Sequence, residues 1–462
     1  MQTFLNPAVL VAILIAGVFI CFGSRKQAAA AFLAASLLIP TDQVLLIGSL
    51  HFFMLRLLIV FGVIRMVREK AGSKLAIFSH GINKIDIAVI LSTIFMAVNG
   101  SLLFRESAAV INQIGNVYTV FGVYFLLRLV IRDGEDVVSA IRTLACITVV
   151  VAAVMIYEQA TGHNPYAMLG GARVSNYASL VAREARYRAQ GPFGHSILAG
   201  TFGAVMVPLF VALWWKSTKY RALAAVGVVS SSVITLASNS STPVMGYAAG
   251  LLALGMWPLR KSMRAVRWGI VAVLVGLHLV MKGPVWSLIE KIDIAGGSSS
   301  WHRYMLVDQC IRRIGEWWLF GVKDTSVWGW DMWDTANQYV SICENFGLLP
   351  FLLFVAVLIY GFKYLGKGRR AAGQDKKTAL FMWALGAALF ANVISFLGVS
   401  YFDQTMVAWY ALLAMIPAAI AGLPKKRLQP VPVNVASHEA DSDLQLVESP
   451  AVFQSAHPEL CG

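Results

Sequence analysis

Apolar residues are gathered along this chain into long blocks instead of recurring at the period of a half-buried element. The blocks 4–22, 85–103, 194–215, 268–281, 348–362 and 380–397 carry almost nothing polar. Several reach about 18–22 residues, which at ~1.5 Å per residue crosses a hydrocarbon core of ~30 Å. With the shorter blocks included, the pattern predicts helices over 4–22, 28–40, 46–65, 85–103, 112–131, 138–158, 194–215, 222–237, 243–258, 267–281, 347–364, 379–399 and 405–422. Pro40, Thr41 and Asp42 interrupt the second and third blocks. If those two form one re-entrant unit, the count falls below thirteen and the side of the N-terminus changes with it. The expected fold is an all-α polytopic transmembrane bundle of about 12–13 helices.

Composition agrees: 58% of the 462 residues are hydrophobic and 13% charged, about half the charge of a soluble domain. The net charge of +14 would suggest a polyanionic partner if it formed a patch. Instead about 26 of the 38 Lys and Arg fall in short connections: 25–26, 65–84, 128–142, 216–221, 260–267, 363–377 and 425–427. That is the positive-inside pattern of cytoplasmic loops, so the basicity sets orientation and implies no nucleic acid. The first block lacks a basic leader and reads as a retained helix, not a secretory signal. The chain divides into a membrane domain, 1–427, and a tail, 428–462, which holds five acids and no Lys or Arg and is expected to be disordered and cytoplasmic. The expected location is a bacterial inner membrane.

Two outer connections are long, about 159–190 and 282–345. Loops beyond ~15 residues are usually functional or disordered, and the second, with seven of the thirteen tryptophans, is too aromatic for disorder. Within it, 301–314 places Trp301, Val307, Cys310, Ile311 and Ile314 near one face at helical spacing, which predicts a short helix lying at the interface. Of the five cysteines, Cys310 and Cys343 share this loop and could pair; no CxxC or metal-ligand spacing occurs.

Outer loops normally avoid arginine, yet Arg173, Arg183, Arg186 and Arg188 occupy the first loop, and Arg303 follows His302 in the second. A guanidinium suits phosphate oxygens bidentately; the plainer reading is an arginine that snorkels to lipid headgroups. Trp317, Trp318, Trp328, Trp330 and Trp333 either anchor the interface or stack on sugar faces. Carboxylates near the outer loops (Asp334 and Glu344 among them) are candidates for a general base, and spacing does not choose between them. No P-loop, dinucleotide fingerprint or HExxH motif occurs. Arg56 lies inside the third block, close to the interface if that helix starts late and functional if it sits deep.

The run Arg186-Tyr-Arg188-Ala-Gln-Gly191-Pro-Phe193-Gly-His195 resembles the re-entry motif of the bacterial O-antigen ligase and polymerase superfamily. In that family a short outer turn commonly reads Thr-x-Ser-Arg-Gly; here Thr235-Leu-Ala-Ser238-Asn-Ser-Ser-Thr-Pro243 stands in its place, without the arginine. Trp301-His302-Arg303 and the turn at Gly321 resemble the opening of its second loop, and Ala336-Asn337-Gln338-Tyr339 with Glu344 and Gly347 its His-Asn-x-Tyr close. The resemblance spans about residues 110–400. It implies an inverting, metal-independent membrane glycosyltransferase, without cofactor, that moves glycan from an undecaprenyl-diphosphate carrier on the periplasmic face. Membrane lipid, chain-length regulator and export proteins are its implied surroundings. Arg186, Arg188 and Arg303 would hold the diphosphate and stabilise the charge that grows on it. Trp317, Trp318, Trp330, Asn337 and Tyr339 would meet the glycan.

The family's histidine base corresponds to Ala336, which favours an exopolysaccharide polymerase over a ligase and leaves His195, Asp334, His302 and Glu344 as bases. Two other classes remain open. A flippase or transporter would place binding groups at mid-membrane and show repeats; the chain has no evident repeat and few charges within its helices beyond Arg56. A non-catalytic assembly component would also fit the lost histidine and arginine.

Overall fold

The computed structural model describes residues 5–41, 43–47, 50–72, 78, 81–170, 187–290, 300–421 and 423. Arg173, Arg183, Arg186 and the predicted tail lie outside the described residues. The helices are α1 (Pro7–Phe22), α2 (Arg25–Leu38), α3 (Met54–Gly72), α4 (Lys84–Phe104), α5 (Ser107–Val130), α6 (Gly134–Thr161), α7 (Ser196–Lys216), α8 (Arg221–Ala237), α9 (Ser241–Gly255) and α10 (Met263–Val280). They continue with α11 (Ser300–Arg312), α12 (Ile314–Trp317), α13 (Gln338–Phe346), α14 (Leu348–Ala371), α15 (Lys376–Ser395) and α16 (Asp403–Ile420). Eight of the described helices are long and apolar enough to cross a membrane, and α1 and α8 are shorter apolar ones. This is an all-α helical membrane protein.

The hydrophobic blocks match these helices closely, with one departure. The segment expected to be helical from residue 46 forms an antiparallel hairpin, β1 (Val44–Ile47) and β2 (Leu50–Phe53), with Val44 opposite Phe53. Val, Ile, Leu and Phe serve a strand as well as a buried helix, so hydrophobicity alone does not separate the two. The helix proper begins at Met54, which puts Arg56 in its first turn.

Helix starts carry their own chemistry. Asn6 caps α1 ahead of Pro7, Ser24 and Gln27 form a capping box on α2, and Asn83 and Asp86 form another on α4; each satisfies amides that a helix leaves open. At this same end Asp86 receives Arg128 Nε at 3.1 Å and Nη2 at 3.2 Å together with the Tyr124 hydroxyl at 2.5 Å. The pair is buried and joins α4 to α5; removing one partner of such a pair costs about 3–5 kcal/mol. Arg25 meets Asp133 and Asp136, and Arg65 meets Glu69 and the carbonyls of Ile20 and Gly23. Several of the basic connections are thus fastened to the bundle.

At the centre stands α7, packed by α6, α8, α9 and α15 and almost wholly buried. Small residues let it pack that closely: a Cβ at Gly203 would lie 2.7 Å from the Ser231 carbonyl. By contrast α10 presents no buried residue.

The described parts of the long connection after α10 are tied together by hydrogen bonds. Trp286 Nε1 donates to Asp308 Oδ1 at 3.0 Å, Trp317 Nε1 to the Cys310 carbonyl at 2.6 Å, and Trp328 Nε1 to Glu316 Oε2 at 2.8 Å. Asn99 of α4 pins two strands of this loop, donating to the carbonyls of Leu319 and Phe346. Where those strands pass, Gly321 and Gly347 have φ of +99° and +88°, and a Cβ on either would lie 2.4 or 2.6 Å from a carbonyl oxygen of the other strand.

Helix α11 forms where the spacing predicts it, and part of its predicted apolar face stays exposed while another face packs inward. His302, Leu306, Asp308 and Cys310 are buried, whereas Trp301, Ile311 and Ile314 are exposed. The polar pair can go inside because each finds a partner: His302 Nε2 meets the Asp331 carbonyl at 2.8 Å, and Asp308 takes Trp286 and Arg312. Cys310 and Cys343 are both buried free thiols, not a disulfide.

Candidate functional site

Helices α8 and α9 are joined by a turn in which Ser238 follows α8, Asn239 takes a left-handed φ of +45°, and Ser240 precedes α9. The Ser238 hydroxyl donates back to the Thr235 carbonyl at 2.7 Å, and the Ser240 hydroxyl to the Ser238 carbonyl at 3.0 Å. Local side-chain bonds of this kind are what serine offers a turn. Gly200 of α7 leaves the space the turn occupies, since a Cβ there would fall 2.2 Å from the Ser238 Oγ.

Two arginines distant in sequence meet this turn. Arg188 Nη2 donates to Ser240 Oγ at 2.7 Å, and Arg303 Nη1 to Ser241 Oγ at 3.3 Å. The serines are consecutive, with Cα atoms about 3.8 Å apart, so the guanidiniums converge on one spot. Arg188 is held there by its backbone: the Ala189 amide donates to the Ala237 carbonyl at 3.1 Å. Just beyond it, Glu158 Oε2 accepts from the amides of Gln190 and Gly191 at 3.0 and 2.8 Å. Asn164 and Gln404 donate to the carbonyls of Gly191 and Pro192. The segment that carries Arg188 is thereby fastened to α6, α8 and α16.

The same segment ends at His195, whose Nδ1 accepts from the Ile197 amide at 3.1 Å and so caps α7. A neutral ring with that acceptor carries its proton on Nε2. Burial, then the Arg188 charge, lower the His195 pKa, and Asp334 opposes them, so Arg188, His195 and Asp334 share one neighbourhood. Asp334 itself is exposed. Two guanidiniums therefore meet on one serine turn, and the charges of Arg188 and Asp334 both act on the His195 ring.

Other expected site residues are engaged differently. Asn337 is 1% exposed; it caps α13 through the amides of Tyr339 and Val340 and donates to the Leu397 carbonyl. The Tyr339 hydroxyl donates to the Val393 carbonyl, and its ring packs against Phe351, Phe354 and Phe396. Trp317 is buried as a brace. The polar atoms of these three are taken up by bonds within the fold. Trp318 and Trp330 keep exposed rings, at 51% and 79%. His302 is buried, with its Nε2 on the Asp331 carbonyl. Arg186 lies outside the described residues.

Glu344 is 2% exposed and accepts from the Thr335 hydroxyl at 2.8 Å. It thereby holds the strand bearing Asp334 and is closed to a substrate hydroxyl. Burial pushes its pKa up to about 7, against the Thr335 bond that lowers it. Between about pH 4.5 and 7 the unfolded chain gives up this proton before the folded chain does, so Glu344 lowers stability as pH rises through that window, by up to about 3 kcal/mol. Glu344→Gln, which keeps an acceptor for Thr335, should therefore gain melting temperature over the parent at pH 8 relative to pH 5. An equal difference at both pH values would contradict the assignment.

Sequence reading singled out the turn 235–243, which holds Ser240 and Ser241, without giving those two serines a role, and did not single out Glu158, Asn164 or Gln404. Only Glu158 left a signal, an acid at the end of an apolar block just ahead of the arginine-bearing loop. No family model matches the chain, and comparison with curated proteins yields no significant relative.

Proposed function

We propose that this protein is a membrane glycosyltransferase that takes glycan from an undecaprenyl-diphosphate donor and lengthens a carrier-linked chain, in exopolysaccharide or O-antigen synthesis. The observation that carries this reading is the convergence of Arg188 and Arg303 on Ser240 and Ser241. Two guanidiniums brought to one serine turn suit a diphosphate, and they stabilise most the state in which it carries the most charge. In the reaction an acceptor hydroxyl oxygen attacks the anomeric carbon. The bond from that carbon to the diphosphate breaks, and its electron pair leaves with the diphosphate, which Arg188, Arg303 and the His195 Nε2–H receive. The hydroxyl proton passes to the Asp334 carboxylate. Asp334 is two residues from Ala336, where the resembling family has its histidine, and it is an exposed acid whose charge acts on His195. The site faces the periplasm in this reading, because the basic connections lie at the opposite ends of the helices.

The decisive experiment gives purified protein single lipid-linked repeat units and follows chain length. Elongation on the carrier, with EDTA present, is the expected result. Transfer only when a separate acceptor such as a lipid A core is added would make it a ligase, and movement of repeat units across vesicles without new glycosidic bonds would make it a flippase. Orientation has its own readout. With the native cysteines replaced, a cysteine at Ser326 should react with an impermeant thiol reagent from the periplasmic side and one at Gly373 should not; reversed labelling would place the site in the cytoplasm.

A further inference from the structure

The basic end of the bundle is built in two ways. Around α1 to α6, Arg25, Arg65, Arg128 and Arg132 each meet a carboxylate. Where α15 packs against α9 and α14, Arg260, Arg369 and Arg370 form no ion pair among the described residues. The charges of Arg370 and Arg260 nevertheless both act on Arg369, so three guanidiniums share one place with no carboxylate paired to them. The C-terminus of α14 offsets little of this, since a helix end carries only about half a negative charge.

Two half-buried indoles frame the cluster. Trp257 follows α9 and Trp383 stands about two turns into α15, with ring centres 5.8 Å apart and planes at 77°. Trp383 Nε1 donates to the Ala253 carbonyl at 2.8 Å, which ties α15 to α9. Arg260 Cζ lies 4.4 Å from the centre of the Trp257 ring, and Arg369 Cζ lies 5.8 Å from that of Trp383. Each guanidinium is thus placed by its own ring. A guanidinium carries five N–H donors. Among the described residues Arg260 gives one of them, from Nη1 to the Trp257 carbonyl at 3.2 Å, and the side chains of Arg369 and Arg370 donate no hydrogen bond.

The cluster lies past the far end of α9, whose 15 residues begin at the serine turn and put about 22 Å of helix between the two sites. One to two turns back along α9 from Trp257, Leu251 and Leu252 are exposed. Cations and indoles therefore stand at the rim of an apolar surface, in the order in which a phospholipid presents phosphate and acyl chain.

We propose that this cluster binds one phospholipid with two phosphates, of the cardiolipin class, in the leaflet that the basic connections face. One phosphate lies on Arg260, the other on Arg369 and Arg370, and the acyl chains follow the exposed side of α9. Charge complementarity selects it: a lipid with a single phosphate would leave two of the three guanidiniums unanswered. Basic pockets between membrane helices on this side suit such headgroups. The inference is independent of the glycosyltransferase reading and needs only the membrane.

The test is native mass spectrometry of the full-length protein in detergent with cardiolipin, phosphatidylglycerol or inorganic pyrophosphate added at equal phosphate concentration. One cardiolipin per chain should be retained, preferred about tenfold or more over phosphatidylglycerol, as one additional charge-assisted contact allows. Pyrophosphate should not displace it. Arg260→Gln and Arg369→Gln should each bring the two lipids close to equal retention, a ratio within one variant that does not depend on how much of it folds. Arg267→Gln removes a cation of the same connection, one whose Nε donates to the Met263 carbonyl at 3.1 Å, and should leave the ratio unchanged. Equal retention of the two lipids by the parent protein overturns the proposal, and so does an unchanged ratio in either cluster variant. Displacement by pyrophosphate would make this a site for a free anion instead of a lipid. An Arg267→Gln effect as large as that of Arg260→Gln would reduce the cluster to a share of the general positive charge, and the proposal would fail.

Discussion

Arg188→Ala and Arg303→Ala are each expected to lower the elongation rate by about a hundredfold or more while the protein still accumulates in the membrane. Both arginines contact the serine turn from segments that other bonds hold in place: Arg188 next to the Ala189 amide, and Arg303 on α11, which Trp286–Asp308 ties down. Truncating either side chain therefore leaves the bundle intact and removes a donor to the leaving diphosphate. A single preorganised donor to developing charge is worth about 10²–10³ in rate. The double variant should lose less than the product of the two single losses, because both guanidiniums act on one group. Arg→Lys should recover little, since the ammonium keeps the charge and loses the planar fork. Near-parental polymer from both alanine variants would leave these arginines as lipid contacts and remove the basis of the proposed reaction.

Asp334→Asn is the second large effect, and it separates the base from the groups around it. Loss of a general base costs about 10²–10⁴ in rate. Asparagine fills the same space and cannot take the proton, so kcat should fall and KM for the lipid-linked donor should change little. His195→Asn provides the contrast. Its side-chain oxygen can still accept the Ile197 amide and cap α7, while the outward N–H is lost, so a smaller fall of about tenfold is expected. A greater loss at His195 than at Asp334 would transfer the base to the imidazole and require its Nδ1 to leave the Ile197 amide during turnover.

Much of the bundle was legible because crossing a membrane demands long apolar blocks, and length with composition is enough to recognise them. The hairpin over Val44–Phe53 was not, because its residues satisfy a strand and a helix equally until their partners are known. The inward face of α11 has a related cause. Spacing grouped the apolar Trp301, Ile311 and Ile314 on one face at the interface, but gave no sign that His302 and Asp308 pack inward, which they do because Asp331 and Trp286, far along the chain, are there to satisfy them. The arginines stood out as charges retained in outer loops. What they contact did not: Arg188 reaches Ser240 across 52 positions and Arg303 reaches Ser241 across 62, and no local pattern records a meeting made in space.

The crossing of Gly321 and Gly347 has a consequence for how this sequence can change over time. Each lies in the left-handed region, and each leaves its side-chain space to the other strand's carbonyl. No larger residue at one position can be accommodated by a change at the other, because both gaps are closed already and the intruding atoms are backbone. The two sites thus have no compensating route between them, and a library randomised at both should return glycine at both. Diverging copies of this chain would be free to vary the exposed tryptophans nearby while this crossing stayed fixed, a landmark for aligning distant descendants of the loop.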